Sequence, residues 1–315
     1  MNRLLSIVLP VYNREAYVIR TLESICASTY RPVELIIVDN GSTDGSLQLC
    51  EEWAADHRCE DFEVQVLQEE KRGANSARNR GLAACKGDYV AFFDSDDLFC
   101  SDALTDVAKA VEEEEADLLF LPVEEWVEGQ ARRRTYRKSS KPQVHILNSM
   151  LSTASMIFRT QWLRELGGWD ESLSIWQDWE LGVRVLLHRP RIHWLCERVY
   201  HQNMVHAASI TGSSFSEHVM EIIAAMRRAV EDVERDPQLS ERERSGCRKA
   251  LYFRAAIMAG KLRQEGNAEG AAAFRKVAET VIPHPLKNVK MTGLMLENYT
   301  ALGGRGAWRL ALALV

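Results

Sequence analysis

Four short apolar runs, each closed by polar or turn-forming residues, constrain this chain more than any other feature. They are LLSIVL at 4–9, meeting Pro10; LIIV at 35–38, meeting Asp39-Asn40-Gly41; EVQVL at 63–67; and YVAFF at 89–93, meeting Asp94. Their shortness and their β-branched and aromatic content predict strands. Helical patterns lie between them, roughly over 14–28, 44–57 and 75–85. Strand–helix alternation predicts parallel strands with helices on both faces. Near-continuous apolar strands agree, because both faces of such a sheet are covered.

In an open α/β sheet, ligands bind beyond the carboxyl ends of the strands. Those ends read Pro10-Val11-Tyr12-Asn13, Asp39-Asn40-Gly41-Ser42, Glu69-Glu70-Lys71-Arg72 and Asp94-Ser95-Asp96-Asp97. Polar groups are thus expected to converge on one rim. A helix near 101–115, an apolar stretch at 117–123 and a basic segment at 132–138, read as an exposed hairpin or loop, come next. A mixed region covers 153–200, and from about 216 the pattern is helical and charged. The composition shift at Gly212-Ser213-Ser214 is the best boundary. It divides the chain into 1–212, with halves 1–100 and 101–212, and a helical region 213–315.

Composition excludes some classes. At 315 residues, 46% hydrophobic and 27% charged, the chain has the balance of a soluble globular protein. Its net charge of −6 argues against a nucleic-acid partner, which calls for a basic excess. Seven cysteines without a CxxC pair fit reduced thiols better than a disulfide framework. The start, MNRLLSIVLPVYN, is too short in apolar residues for a signal peptide, and no run reaches the roughly 20 needed to span a bilayer. A cytoplasmic location is the expectation.

The residues that carry chemistry each have a plain reading beside a functional one. Asp94, Asp96 and Asp97 stand within four positions and repel one another unless a cation or hydrogen-bond donors offset the charge. Their oxygens suit Mg²⁺ or Mn²⁺; the plain reading is a helix cap, by Asp97 or Ser101. Asp39 is either a turn residue or an acceptor for base or ribose groups. Arg72 to Gly81 is either a solvated helix face or a diphosphate contact. Asp178, at the start of a helix over 179–187, is a cap or a catalytic base, with Glu180 its competitor. His201 and His206 are structural or bind metal or phosphate. No dinucleotide or P-loop fingerprint is present.

Taken in order, Pro10-Val11-Tyr12-Asn13, Val38 to Gly45, Gly73 to Gly81, Asp94-Ser95-Asp96-Asp97 and then Gly167-Gly168-Trp169-Asp170 with Gln177-Asp178-Trp179-Glu180-Leu181 resemble the successive signatures of family 2 glycosyltransferases. The resemblance covers about 4–212. It implies a GT-A fold, a Rossmann-like mixed, mainly parallel sheet flanked by helices, here with a helical C-terminal extension. It also implies inverting transfer of a sugar from a nucleoside-diphosphate donor, first among them a UDP-sugar, in cell-surface polysaccharide or glycoconjugate synthesis. By the same resemblance Pro10, Val11, Tyr12, Asn13 and Asp39 hold the nucleoside. Asp94 and Ser95 belong to the element that positions ribose and diphosphate, and Asp96 ligates a divalent cation, Mn²⁺ or Mg²⁺. Asp178 is the base. His206, before Ala207-Ala208-Ser209-Ile210-Thr211, faces the metal or phosphates, although its spacing departs from the family's. Arg72 and Arg78 are diphosphate contacts. A saccharide or lipid-linked acceptor, a homodimer and a peripheral membrane contact through 132–138 or the tail 307–315 stay open.

Two rival readings stand beside this one. The first is a non-catalytic sugar-nucleotide binder on the same fold, since fold alone does not establish activity. The second is a nucleotidyltransferase, which also uses paired carboxylates and metal but normally has a Gly-rich, basic N-terminal loop that is missing before Asp39.

Overall fold

The computed structural model describes residues 3–127, 129–133, 138–196, 199–205, 214–282 and 285–315. It resolves into two compact units, each built from three separate stretches of chain. The first comprises Met1–Tyr136, Ser152–Ser174 and Pro190–Ser209; the second comprises Arg137–Leu151, Ile175–Arg189 and Ile210–Val315. A single cut near 212 does not describe this division, because two internal stretches belong with the C-terminal helices.

The first unit opens with β1 (Leu5–Val11), α1 (Val18–Cys26), β2 (Val33–Asp39), α2 (Ser46–His57), β3 (Phe62–Gln68), α3 (Ala74–Ala84) and β4 (Tyr89–Phe92). The same unit holds β5 (Leu98–Phe99), α4 (Ala103–Glu113), β6 (Leu118–Phe120), β7 (Val123–Val127) and β8 (Gln130–Arg133). Next come β9 (Met156–Arg159), α6 (Thr160–Glu165), β10 (Ile192–Trp194) and β11 (His201–Val205), while α5 (Pro142–Asn148) and α7 (Gln177–Leu187) fall in the second unit.

The main sheet runs β10-β6-β9-β4-β1-β2-β3. All its pairings are parallel except the two made by β9. Strands β1 and β2 are buried along almost their whole length, as expected of a sheet covered on both faces. Helix α1 buries Val18, Thr21, Leu22 and Ile25, spaced as one helical face, against a core containing Leu5, Ile7, Leu9 and Phe93. Helix α3 reaches the sheet through Gly81, where a Cβ would stand 2.3 Å from a methyl of Val8. That close approach sets α3 low on the sheet and brings Asn75 and Arg78 to the strand ends.

Strand β1 continues through Pro10 rather than stopping there. Val8 accepts a hydrogen bond from Phe93 N and Val11 from Asn40 N, so alternate residues of β1 face opposite neighbours. Pro10, in the parity of Val8, directs its missing donor to the side where β4 has already ended.

A second sheet, β5-β11-β7-β8, sits beyond the strand ends. The antiparallel pair β7–β8 is the hairpin expected near 132, with Arg132 exposed; residues 134–137 lie outside the described ones.

The second unit joins α5 and α7 to α8 (Val219–Arg235), α9 (Glu241–Gln264), α10 (Ala268–Val281), α11 (Lys287–Ala301) and α12 (Ala307–Leu312). Its core gathers Leu147, Trp179, Val183, Met226, Phe253, Phe274 and Leu296. Buried His145 ties α5 to α7. Its Nδ1 accepts from Leu151 N (3.1 Å), so the ring proton sits on Nε2 and is donated to the Trp179 carbonyl (2.9 Å). Among the described residues no helix is long and apolar enough to cross a membrane. All seven cysteines are free thiols.

Candidate active site

The rim of the first unit is assembled loop by loop. Asp39, the last residue of β2, is buried, and its carboxylate accepts from the backbone amides of Gly41 (3.0 Å) and Ser42 (3.1 Å). Gly41 has φ +75°, a conformation glycine adopts without steric cost, and this lets the turn close on the carboxylate. Asn40 donates to the carbonyls of Glu69 (2.9 Å) and Lys71 (2.8 Å) and accepts from Gly73 N (2.7 Å). One amide side chain thereby fixes the loop between β3 and α3, with Arg72 on it. The Arg72 guanidinium lies 4.8 Å from the centre of the exposed Tyr12 ring.

Asn13 links the first two loops. Its backbone amide donates to Ser42 Oγ (3.0 Å), and its side-chain carbonyl accepts from Thr43 N (2.8 Å). It does so at φ +51°, in the left-handed region that asparagine tolerates better than most residues. Asp44 accepts from Ser46 N (3.0 Å) in the turn before α2, whose cap position is held by Gly45, while Ser42 serves Asn13. Burial opposes ionisation of Asp44, but the bonds from Ser46 and Glu15 outweigh it and hold its carboxyl below the usual range.

The three acids after β4 have separate surroundings. Asp94 accepts from Arg78 (2.9 Å), which is almost fully buried, bonds Asn75 Oδ1 (3.0 Å) and stacks on Trp169 at 4.6 Å. Asp96 lies 3.5 Å from Arg14 Nε. Asp97 points away from the rim: buried, it accepts from His201 Nε2 (2.6 Å), Asn203 Nδ2 (3.1 Å) and Met204 N (2.8 Å). It therefore anchors β11 and caps no helix, and His201 is committed to it. Ser95 between them is buried. Repulsion within the cluster is offset by two arginines and three donors.

Strand spacing puts these acids on the same rim as Asp39. Asp39 ends β2 and Asp94 stands two residues past the end of β4; these strands flank β1, so the two acids lie about 10 Å apart by two interstrand steps. Tyr12, Asn13 and Arg14 continue β1 between them. The segment Arg72–Gly81 is not a solvated helix face, since Asn75, Ser76, Ala77 and Arg78 are all buried. Asn75 and Asn79 instead clamp the segment 169–173: Asn75 donates to the Asp170 (2.7 Å) and Leu173 (3.1 Å) carbonyls, and Asn79 exchanges bonds with Trp169. Glu171 accepts from Asn79 and Lys71, which holds its carboxyl below the usual range.

Arg14 was not marked by the sequence pattern, whereas Asn75 and Asn79 lie in the Arg72–Gly81 segment it singled out and turn out to hold the segment 169–173. The place of Arg14 directly after the first strand-end motif is visible in the sequence, but its acidic neighbour Asp96 is not.

Asp178 is the second residue of α7, in the second unit, half-buried and accepting from Trp179 N (2.7 Å). Trp176, just before the helix, takes φ +58°, a costly conformation for a large side chain. Glu180 is wholly buried and bonded to Arg184 (2.8 Å), which removes it from competition as a base. His206 lies outside the described residues.

The donor set of Asp94 and Asp96 is all oxygen and fits a hard divalent cation such as Mg²⁺ or Mn²⁺. Among the described residues no three His, Cys, Asp or Glu side chains gather to hold a metal. Two carboxylates are enough where substrate phosphates and water complete the shell.

Residues 6–167 match the model of glycosyl transferase family 2. The glycosyltransferase GlyG of Streptococcus pneumoniae is 38% identical over 121 residues, covering 38% of this chain and 39% of that protein. The poly(ribitol-phosphate) β-N-acetylglucosaminyltransferase TarS of Staphylococcus aureus is 27% identical over 250 residues, covering 75% of this chain but 43% of TarS. The chain thus matches less than half the length of these relatives. The crystal structure of TarS 1–349 in complex with UDP-GlcNAc superposes with a TM-score of 0.75 at 22% identity, covering 98% of this chain and 90% of that one. The mannosyltransferase PcManGT of Pyrobaculum calidifontis, in complex with GDP-Man and Mn²⁺, superposes with a TM-score of 0.59 at 18% identity. These likenesses establish the GT-A fold. With the family match over half its length, and a rim built from that family's motifs in their order, the chain belongs to glycosyl transferase family 2.

Proposed function

We propose that the chain transfers a sugar from a nucleoside-diphosphate sugar to an acceptor hydroxyl with inversion, in the synthesis of a cell-surface polysaccharide or glycoconjugate. The observation that carries this is the meeting of Asp39, Tyr12, Asn13, Arg72, Asp94 and Asp96 on one strand-end rim. UDP is the favoured nucleotide because TarS was crystallised with UDP and UDP-GlcNAc.

In this reading Pro10, Val11, Tyr12, Asn13 and Asp39 form the nucleoside end. The buried Asp39 carboxylate, held by two backbone amides, has a lone pair left for a base or ribose donor. The Arg72–Tyr12 pair offers a flat face and a cation at the mouth. Ser95 supports the Asp94–Asp96 turn. Arg78 acts through Asp94 as a positioning residue, replacing the direct diphosphate contact expected of it. Asp94 and Asp96 would hold the divalent cation, which, when bound, draws negative charge from the departing diphosphate. Arg14 balances Asp96 until the donor arrives. Asp178 takes the proton of the attacking hydroxyl, a poor nucleophile until deprotonated. His206 would be a further ligand for the cation or phosphates. Seven free thiols support a cytoplasmic site of action.

The test is a thermal-shift and calorimetry panel of nucleotide sugars, with and without Mn²⁺. A donor that binds the folded state raises its melting temperature by mass action. One UDP-sugar is expected to do so in a metal-dependent manner, and Asp96→Ala to abolish the metal dependence. Unchanged donor affinity in that variant refutes the ligand assignment. Hydrolysis of the bound donor separates an enzyme from a mere binder.

A further inference from the structure

Helix α11 is apolar on both sides. Its inner side buries Val289, Gly293, Leu296 and Thr300, spaced as one helical face. Its opposite side carries Met291, Leu294 and Met295, spaced i, i+3, i+4, with Leu302 following on the same side by helical geometry. These are not marginal exposures: Met291 is 59%, Leu294 47%, Met295 49% and Leu302 89% exposed, whereas Leu296 on the inner side is fully buried. An apolar stripe of this size left in solvent on a surface helix marks a contact site.

Charge says what covers it. Residues 285–315 contain Lys287, Lys290, Arg305 and Arg309 but a single acid, Glu297. Glu297 is turned inward and buried against Arg275 (2.6 Å) and Arg263 (3.1 Å), so it does not offset the cations on the outer side. Lys287, Lys290, Arg305 and Arg309 are all exposed. The segment thus carries a net +3 in a chain whose total is −6. On α12, Leu310 beside Arg309 repeats the pairing of an exposed apolar side chain with a cation.

We propose that the outer face of α11, with the turn that follows it, docks on a lipid bilayer rich in anionic head groups. Met291, Leu294, Met295 and Leu302 enter the boundary between head groups and acyl chains. The lysines and arginines flank them at the depth of the phosphates.

The experiment is vesicle flotation with the full chain. One set of vesicles is phosphatidylcholine alone; in the other about one third of the lipid is phosphatidylglycerol. The chain is expected to float with the anionic vesicles and not with the neutral ones, and to be released by high salt. Met291→Asp with Leu294→Asp should lower the bound fraction by about tenfold or more. Lys287→Glu with Lys290→Glu leaves every apolar contact in place and should produce a comparable loss; it carries the test should the first variant fail to fold. Circular dichroism and donor thermal shift confirm that each variant is folded. The proposal is overturned if the wild type floats with neither vesicle, or if either folded variant floats as the wild type does. It is equally overturned if light scattering shows a dimer that Met291→Asp with Leu294→Asp disperses while vesicle binding is absent, since the face then meets a second copy.

Discussion

Each unit contains a group of crowded acids, and the two groups are handled in opposite ways. In the first unit Asp94, Asp96 and Asp97 follow a strand, and each has its own donor: Arg78, Arg14 and the His201–Asn203–Met204 set. Two of them keep their carboxylates at the rim, partly open to solvent. In the second unit Glu180 and Asp232 sit between α7 and α8 with Arg184 and Arg228 beside them. There, burial first and the charge of Glu180 second push the Asp232 carboxyl up to about 6. Clustering of acids in a chain therefore says little about chemistry. Open faces and dedicated donors make acids available to a cation, whereas mutual burial turns them into packing.

The largest expected effect tests that contrast on a single helix. Asp178→Asn should lower transfer by about 10²–10⁴-fold, the usual worth of a general base, with donor affinity and melting temperature nearly unchanged. Glu180→Gln, two residues on, should leave turnover per folded molecule close to normal. The assignment is lost if the two variants exchange these behaviours.

Next in size is the stability of the buried pair. Glu180→Ala leaves Arg184 without its bonded partner in the interior and should cost about 3–5 kcal/mol in urea unfolding. A loss below about 1 kcal/mol would show that water reaches the site and that the second unit is less dry than its burial implies.

Arg78→Met comes third. It removes the charge partner of Asp94 and the stack on Trp169, for an expected loss of about 1–3 kcal/mol, together with a roughly tenfold weaker donor affinity. Stability lost with affinity kept would confine Arg78 to packing.

The smallest effect is a pH dependence. Asp232 binds its proton more tightly folded than unfolded. Its contribution to stability therefore falls as pH climbs from about 4 through about 6 and stays at the lower level above. Asp232→Asn should flatten that fall and raise stability at pH 7 by about 1–3 kcal/mol relative to wild type. Parallel melting curves for the two proteins between pH 4 and 7 would contradict the shift.

Much of the donor half was legible in the sequence. Strands β1 to β4 and helices α1 to α3 announce themselves because β1, β2 and β4 are nearly continuous apolar runs, β3 alternates with period two, and each connection is short. The strand-end rule then located the rim without coordinates. Less legible was everything that depends on pairing across long separations. Strand β9, inserted antiparallel between β4 and β6, is four residues long and carries no periodicity of its own. The bond of Asp97 to His201 spans 104 positions, and no local pattern distinguishes that acid from Asp94 or Asp96. Helices α5 and α7 look like parts of the region around them, and only tertiary packing assigns them to the second unit. Arg14 was overlooked because a cation after a turn is ordinary until its neighbour is known.

Asn40 has a consequence of its own. Its side chain is the knot where three backbone strings are tied, and only an amide can both donate twice and accept once there. Asn40→Asp would set a carboxylate against the carbonyls of Glu69 and Lys71 while every apolar residue of the sheet stays where it is. Because Asn40 is buried, that uncompensated charge should cost about 1–3 kcal/mol or more of stability; the loop carrying Arg72 comes loose with it, so melting temperature and nucleotide affinity should fall together.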